Sequence, residues 1–205
     1  MTGPAESPFA FLLDTYETER IKTLSVWSLF GDADLEFRPA PLSRTPHEHM
    51  VHQCLSEDVW MTKMLDVVTG LPALPAVETR LDFLRHYAET SARRLARLRE
   101  KPDAWFGETT TFFDVQRTRS WVLLRRLTHS AHHRAQMTVY LRLLGRSLYS
   151  TYGPTADTGG LFQNAAPVLY RYARVEELLE AEERGGVFPA LPGPGAKSPT
   201  ERPAT

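Results

Sequence analysis

The sequence predicts an all-α protein built as a four-helix bundle. Four long segments carry apolar residues at helical spacing, breaks rich in Pro and Gly separate them, and no stretch alternates convincingly like a sheet. The chain has 205 residues, of which 42 % are hydrophobic, so it is long enough to bury a core of its own. We place the bundle domain at 1–184 and predict a disordered tail rich in Pro and Gly at 185–205.

The first two predicted helices lie in the N-terminal part of the chain. The first spans about 8–30, where large apolar residues recur at helical spacing. The second spans about 46–69 and begins with a capping box, in which Thr45 is the cap and Glu48 stands at the third helical position. Pro46 at the first helical position fits the same start, and glycine and proline follow the end of the segment.

The remaining elements follow in the same way. The third helix is predicted over about 77–100, where a Lys-Pro pair ends it. Residues 105–114 are rich in threonine and aromatic residues, which fits a short hairpin or a loop. The fourth helix spans about 115–144 and stops at Gly145, and a short extra helix is predicted over 174–183.

Charge and cysteine content exclude several classes of protein. Lys and Arg number 24 against 25 Asp and Glu, and this balance argues against a dedicated nucleic-acid binder. The single cysteine, Cys54, excludes an intramolecular disulfide framework and a cysteine-rich zinc site, and we expect it to be a buried small hydrophobe. There is no signal peptide pattern and no apolar run of about 20 residues. We therefore expect a cytoplasmic protein with no membrane or nucleic-acid partner.

The seven histidines are not scattered evenly, and two of them share one face of the fourth helix. His129 and His133 are four residues apart, so one lies a turn above the other. Both fall within the apolar stripe of Val122, Met137 and Tyr140. Because polar groups inside a core need partners, this placement favours two imidazoles that chelate one metal ion, with metal-free packing in the core as the alternative.

A third ligand is expected from another helix, with one coordination position left open. The second helix offers three histidines. His47 stands in the first turn and is expected to be exposed, while His49 lies on the polar side with Gln53. His52 borders the apolar side, so we select it as the third ligand, with His86 of the third helix as an alternative.

Charged residues near these histidines suggest further roles. Arg126 lies one turn before His129 on the same face and is predicted to hold an anionic group of a substrate. The alternative is an arginine that snorkels from the end of the bundle or pairs with a carboxylate. Glu57 and Asp58 fit either carboxylates that support the ligands or solvated surface charges. Arg134 is expected to point outward.

Parts of the sequence resemble the DinB/YfiT-like family. The stretches that carry the resemblance are 45–52, the run His129-Ser-Ala-His132-His133-Arg134-Ala-Gln136, 140–145 and 152–158. The resemblance extends over about 8–157. Ala135 stands where many relatives have glycine, and because alanine is a good helix former we expect the site to be kept.

The resemblance implies a four-helix bundle with one divalent metal ion, usually zinc or nickel. It implies three histidine ligands, one from the second helix and two from the fourth, which correspond here to His52, His129 and His133. Some relatives use the metal to activate a low-molecular-weight thiol. The implied function is a metal-dependent enzyme acting on a small molecule, a thiol S-transferase first and a hydrolase second, and the chain is expected to form a homodimer. The alternative is a non-catalytic metal-binding or stress-associated protein.

Overall fold

The computed structural model describes residues 7–160 and 165–195. The helices are α1 (Ala10–Trp27), α2 (Pro46–Val59), α3 (Arg80–Arg99), α4 (Asp103–Gly107), α5 (Arg119–Leu143) and α6 (Val175–Glu183). The strands are β1 (Thr109–Phe112) and β2 (Val115–Thr118). The four long helices α1, α2, α3 and α5 pack on one another, which confirms the predicted all-α four-helix bundle. Among the described residues, no helix combines the length and the hydropathy needed to cross a membrane.

The core of the bundle consists of two apolar clusters. In one of them Trp27 of α1 is fully buried and packs against Phe83 and Tyr87 of α3, with ring centroids 6.4 and 4.9 Å away. The other lies around Trp60 and Val122, next to the short strands. Residues at helical spacing on every long helix contribute to these clusters, as the periodicity of the sequence requires.

The start of α2 has the predicted capping box. The Glu48 N–H donates to Thr45 Oγ1 (3.1 Å), and the Thr45 N–H donates to the Glu48 carboxylate (2.8 Å). The predicted end near residue 69 is wrong. After Val59 the chain forms a single π-helical turn, Trp60–Met64, in which the Leu65 N–H donates to the Trp60 carbonyl (3.2 Å).

Loss of the cap is expected to weaken the bundle measurably. Thr45→Ala removes the acceptor for the Glu48 N–H and should lower the free energy of unfolding by about 1 kcal/mol. Thr128→Ala is the matched control, because Thr128 is exposed in the middle of α5 and donates only to the Arg125 carbonyl. Urea denaturation followed by circular dichroism measures both. Equal stability of the two variants would contradict a stabilising role for the cap.

A β-hairpin precedes α5 and shortens that helix. β1 and β2 pair antiparallel, with Thr109 opposite Thr118 and Phe112 opposite Val115. The prediction that the fourth helix begins at residue 115 is therefore wrong, since residues 115–118 are paired with β1 and Thr118 caps the helix instead. The hairpin alternative predicted for 105–114 is confirmed in part: β1 forms, but its partner strand comes from the segment assigned to the helix.

The predicted tail is described only as far as residue 195. Within that stretch the Val187 and Pro189 carbonyls accept hydrogen bonds from Arg171 Nε (2.9 Å) and the Tyr149 hydroxyl (2.7 Å). Residues 196–205 lie outside the described residues. The domain boundary at residue 184 stays a prediction.

Candidate metal centre

Three histidines from two helices converge on one point. α2 supplies His52, and α5 supplies His129 and His133. His133 Nε2 lies 3.0 Å from His52 Nε2 and 3.2 Å from His129 Nε2. Each histidine has one ring nitrogen that lies within 4.8 Å of a ring nitrogen of the other two. We call these three residues the cluster. The structure thus brings together the three histidines selected from the sequence.

The spacing of these nitrogens suits a small divalent ion. Zinc–nitrogen bonds of about 2.0–2.1 Å in tetrahedral geometry put neighbouring ligand nitrogens about 3.3 Å apart. The separations of 3.0 and 3.2 Å are close to that value. His133 is buried, whereas His52 and His129 are half-buried, so the cluster is partly accessible from outside the bundle. The residues therefore fit a mononuclear metal site.

The protonation state of the cluster also suits a metal. Burial, together with Arg126 and His52, lowers the pKa of His129 to about 4. Burial and the two neighbouring imidazoles lower the pKa of His133 to about 3, and burial and Arg44 lower that of His52. At neutral pH the three rings are uncharged, which is the form that binds a metal ion.

The other histidines lie outside this cluster. His47 pairs with Glu78 (2.6 Å), and His132 is exposed, with Gln136 at 2.7 Å. His86 contacts the Ala73 carbonyl (3.1 Å), so the alternative third ligand is not used.

The prediction that His49 and Gln53 lie on a polar side is wrong, because that side of α2 packs inside the bundle. Gln53 is fully buried, and the exposed fraction of His49 is 1 %. The His49 ring lies against His133 and Tyr140, with centroids 5.4 and 5.5 Å away. Among the described residues, neither ring nitrogen of His49 has a hydrogen-bond partner.

Arg126 joins the cluster to a buried polar network. The side chain is fully buried. Its Nη1 donates to Ser56 Oγ (2.8 Å) and lies 3.1 Å from His129 Nδ1. Its Nη2 donates to Ser130 Oγ (3.1 Å) and lies 3.5 Å from Glu57 Oε2. These contacts occupy the N–H donors of the guanidinium that a substrate anion would need. The predicted contact of Arg126 with a substrate stays a prediction.

Glu57 lies at the centre of this network and is fully buried, so its interpretation as a solvated surface charge is wrong. Its carboxylate accepts hydrogen bonds from the hydroxyls of Tyr16 (2.5 Å) and Tyr87 (3.1 Å), and Arg94 Nη1 lies 3.4 Å away. Burial raises the pKa of Glu57, but Arg126, Arg94 and the two hydroxyls outweigh burial and hold the pKa below its usual value. Glu57 is therefore ionised inside the bundle.

One wall of the centre comes from the π-helical turn. The Trp60 ring is tilted by 32° against the ring of His129, with centroids 5.3 Å apart. Phe112 and Phe113 of the hairpin pack edge-on against the same indole, with centroids at 5.1 and 6.1 Å. Nothing in the sequence indicates that the chain after Val59 turns this ring toward α5.

Arg134, expected to point outward, is buried instead. Its Nη2 pairs with Glu19 of α1 (2.5 Å) and contacts the Tyr152 hydroxyl. The same Tyr152 hydroxyl donates to Glu19 (2.8 Å). The His-rich run of α5 therefore carries the histidine cluster on one side and an ion pair with α1 on the other.

The sequence of this chain matches one family of known proteins. A sequence model described as the DinB superfamily matches residues 15–137, which is more than half of the chain. No curated protein matches the sequence.

Several solved structures have a similar fold. A DinB-like protein from Bacillus cereus ATCC 10987 is 19 % identical, with a TM-score of 0.61 over 69 % of this chain and 95 % of its own. YfiT from Bacillus subtilis, described as a probable metal-dependent hydrolase with an unusual four-helix bundle topology, is 17 % identical, with a TM-score of 0.54 over 72 % of this chain and 93 % of its own. The DinB-like protein YjoA from B. subtilis is 16 % identical, with a TM-score of 0.54 over 67 % of this chain and 93 % of its own. At these identities the likeness establishes the fold.

Proposed function

This chain belongs to the DinB superfamily, and from that premise we propose that it is a metal-dependent enzyme that binds one divalent ion through His52, His129 and His133. The observation that carries the proposal is the convergence of three imidazoles, each with a ring nitrogen free to bind a metal ion, on one point of the described structure. A site of this kind leaves a coordination position for water or substrate. The description of YfiT as a probable metal-dependent hydrolase supports the same class of function.

The proposed chemistry is the activation of a nucleophile. An ion held by the three histidines would supply a Lewis acid that lowers the pKa of a bound thiol or water. We propose transfer of a small-molecule thiol as the first candidate reaction and hydrolysis as the second. Cys54 is buried, and burial raises the pKa of its thiol, so the thiol has to come from a small molecule. Assays of the zinc- and nickel-loaded protein with and without added thiol distinguish the two reactions.

Within this proposal the protein supplies position and shelter. His133 is held inside the bundle, His52 approaches from the facing helix, and His129 packs against Trp60 and contacts the guanidinium of Arg126. The indole closes one side of the ring, which leaves the half-buried edges of His52 and His129 as the approach for a small substrate.

A non-catalytic metal-binding or stress-associated protein is the alternative. Structural zinc sites are normally closed by four protein ligands. The three-histidine cluster favours the enzyme, and a fourth protein ligand at the metal would favour the alternative.

Removal of one ligand tests the site directly. His133→Ala is expected to weaken zinc binding by more than about 100-fold. Loss of a residue that only supports a ligand weakens metal binding by up to about 100-fold, and loss of the ligand itself should cost more. Calorimetric titration and elemental analysis of the purified protein measure the effect.

The matched control is His132→Ala, which changes the neighbouring histidine that contacts Gln136 outside the cluster. This variant should bind zinc as the wild type does. The site assignment fails when His133→Ala retains wild-type affinity, or when the two variants lose zinc equally.

Three further proposals accompany the site: zinc or nickel as the ion, a cytoplasmic location and a homodimer. For the homodimer, α5 exposes Leu124, Val139 and Leu143 along its outer side, with exposed fractions of 46, 56 and 62 %. These apolar side chains are available for a contact with a second copy of the chain. Sedimentation of the purified protein should give twice the chain mass of 23.2 kDa, and a monomer would exclude the dimer.

A further inference from the structure

The tip of the hairpin holds a phenylalanine in a backbone conformation that large side chains disfavour. Phe112 pairs with Val115, so the loop between the strands has two residues, and its first residue, Phe113, has a φ of +53°. A positive φ at this place in a two-residue loop normally selects glycine or asparagine, because a side chain there crowds the backbone. Phe113 is also 66 % exposed, so burial offsets little of the strain.

One aromatic ring connects Phe113 with the cluster. The Phe113 ring is edge-on to the Trp60 indole, with centroids 6.1 Å apart, and the same indole packs against His129 at 5.3 Å. Because His129 is half-buried, a molecule that binds at the cluster from outside the bundle lies within reach of the exposed Phe113 ring. Strained residues cluster at ligand-binding sites, where the strain serves the function.

The hairpin holds Phe113 in a fixed place. Thr110 Oγ1 donates to the Met64 carbonyl at the end of the π-helical turn (2.6 Å), and Phe112 packs edge-on against Trp60, with centroids 5.1 Å apart. Both contacts tie the hairpin to the segment that carries the indole. A side chain on a rigid element orients a ligand more sharply than one on a free loop, so Phe113 is suited to recognition.

Two apolar side chains of α2 are exposed on the side of its ligand. Leu55 and Val59 come three and seven residues after His52, so all three share one face of the helix. Their exposed fractions are 40 and 47 %. Exposed apolar side chains on both elements beside the cluster are typical of a surface that binds a ligand. We call Leu55, Val59 and Phe113 the apolar rim.

We propose that Phe113 is a specificity-determining residue, and that the substrate of the metal centre carries an apolar group of about the size of an aromatic ring, which packs against Phe113 while the reacting atom lies at the cluster. The inference rests on the proposed metal site and names the substrate class of that site. Contact with such a group removes the apolar rim as well as the substrate group from water, and this supplies the binding free energy.

Two zinc-binding probes represent the substrate. 4-Phenylbutanohydroxamate and acetohydroxamate bind zinc through the same hydroxamate group, but only the first carries a ring. The full-length, zinc-loaded wild type should bind the phenyl-bearing probe at least about 10-fold more tightly, which is the value of partly burying a ring against apolar side chains. Calorimetric titration measures both affinities. Equal affinity for the two probes would overturn the inference.

Substitutions at residue 113 assign the preference to this side chain. Phe113→Gly should bind the phenyl-bearing probe about 10-fold more weakly than the wild type and acetohydroxamate equally well. Phe113→Tyr keeps the ring and should match the wild type. Phe11→Ala is the matched control, since Phe11 is 56 % exposed on α1, which supplies none of the three ligands.

Stability gives a readout that needs no metal. In protein treated with chelator, Phe113→Gly should unfold at the same urea concentration as the wild type or a higher one, because glycine accepts the positive φ and little packing is lost. Phe113→Ala keeps a side chain at this φ and should unfold at a lower concentration than Phe113→Gly. A midpoint of Phe113→Gly below that of the wild type would mean that the ring serves the stability of the hairpin, which overturns the inference.

The remaining outcomes separate this inference from the metal site itself. An unchanged affinity of Phe113→Gly for the phenyl-bearing probe, an equal loss for both probes, or the same loss in Phe11→Ala overturns the role of Phe113 alone. Failure of the wild type to bind zinc, or to bind either hydroxamate once zinc is in place, overturns the proposed site with an open coordination position, and this inference with it.

Discussion

Replacement of Glu57 with glutamine is expected to lower the free energy of unfolding by about 3–5 kcal/mol, the cost of removing one partner from a buried ion pair. The carboxylate is fully buried between two tyrosine hydroxyls and faces Arg94 and Arg126. Glutamine keeps the shape but not the charge. Among the described residues Arg126 would then be fully buried without a carboxylate partner, and the buried Arg94 would keep only Asp58.

The neighbouring carboxylate provides the control for this prediction. Asp58 also contacts Arg94 (3.1 Å), but its side chain is 26 % exposed, so Asp58→Asn should cost less than about 1 kcal/mol. Denaturation in urea, followed by circular dichroism, compares the two variants. Equal stability of Glu57→Gln and Asp58→Asn would contradict a structural role for the buried charge.

Zinc is expected to raise the melting temperature strongly. An ion that binds only the folded state at about 1,000 times its dissociation constant stabilises that state by about 4 kcal/mol. For a chain of this size each kcal/mol raises the melting temperature by about 2–4 °C, so a shift of about 8–16 °C is expected. The physical reason is that the ligands come from α2 and α5 and lie close together only in the folded chain.

Differential scanning calorimetry with zinc, and then with excess chelator, measures this shift and its reversal. His132→Ala should show the same shift as the wild type, and His133→Ala should show almost none. A shift of equal size in His133→Ala would mean that zinc stabilises the protein from another site.

The parts that the sequence predicts well depend on residues close together in the chain. The capping box of α2 needs only Thr45 and Glu48, and the pairing of His129 with His133 follows from their spacing on one helix. The choice of His52 needed one further step, because it depends on where this histidine lies relative to the apolar side of α2. These are local patterns, and the structure reproduces their geometry.

The buried polar network depends on residues far apart, and for this reason it was missed. Glu57 is buried because Tyr16, Tyr87 and Arg94 reach it from α1 and α3. A helical wheel of α2 alone contains no information about those partners. A helix in a bundle also touches several neighbours, so its buried surface is wider than its apolar stripe. The hairpin was missed for a different reason: its strands are adjacent in the chain, but residues 115–118 also fit the start of a helix, and only the pairing with β1 decides between the two.

The contact of Arg134 with Glu19 and Tyr152 has a consequence for the use of the His-rich run as a diagnostic signature. The run encodes two separable properties: two of its histidines belong to the candidate metal centre, and its arginine links α5 to Glu19 of α1 and to Tyr152 in the loop that follows α5. A protein with this fold could lose the histidines and still need the arginine and the tyrosine to hold its helices together. In a genome survey, a match to the run as a whole would therefore identify the scaffold, and only the three histidine positions would identify candidates for metal chemistry.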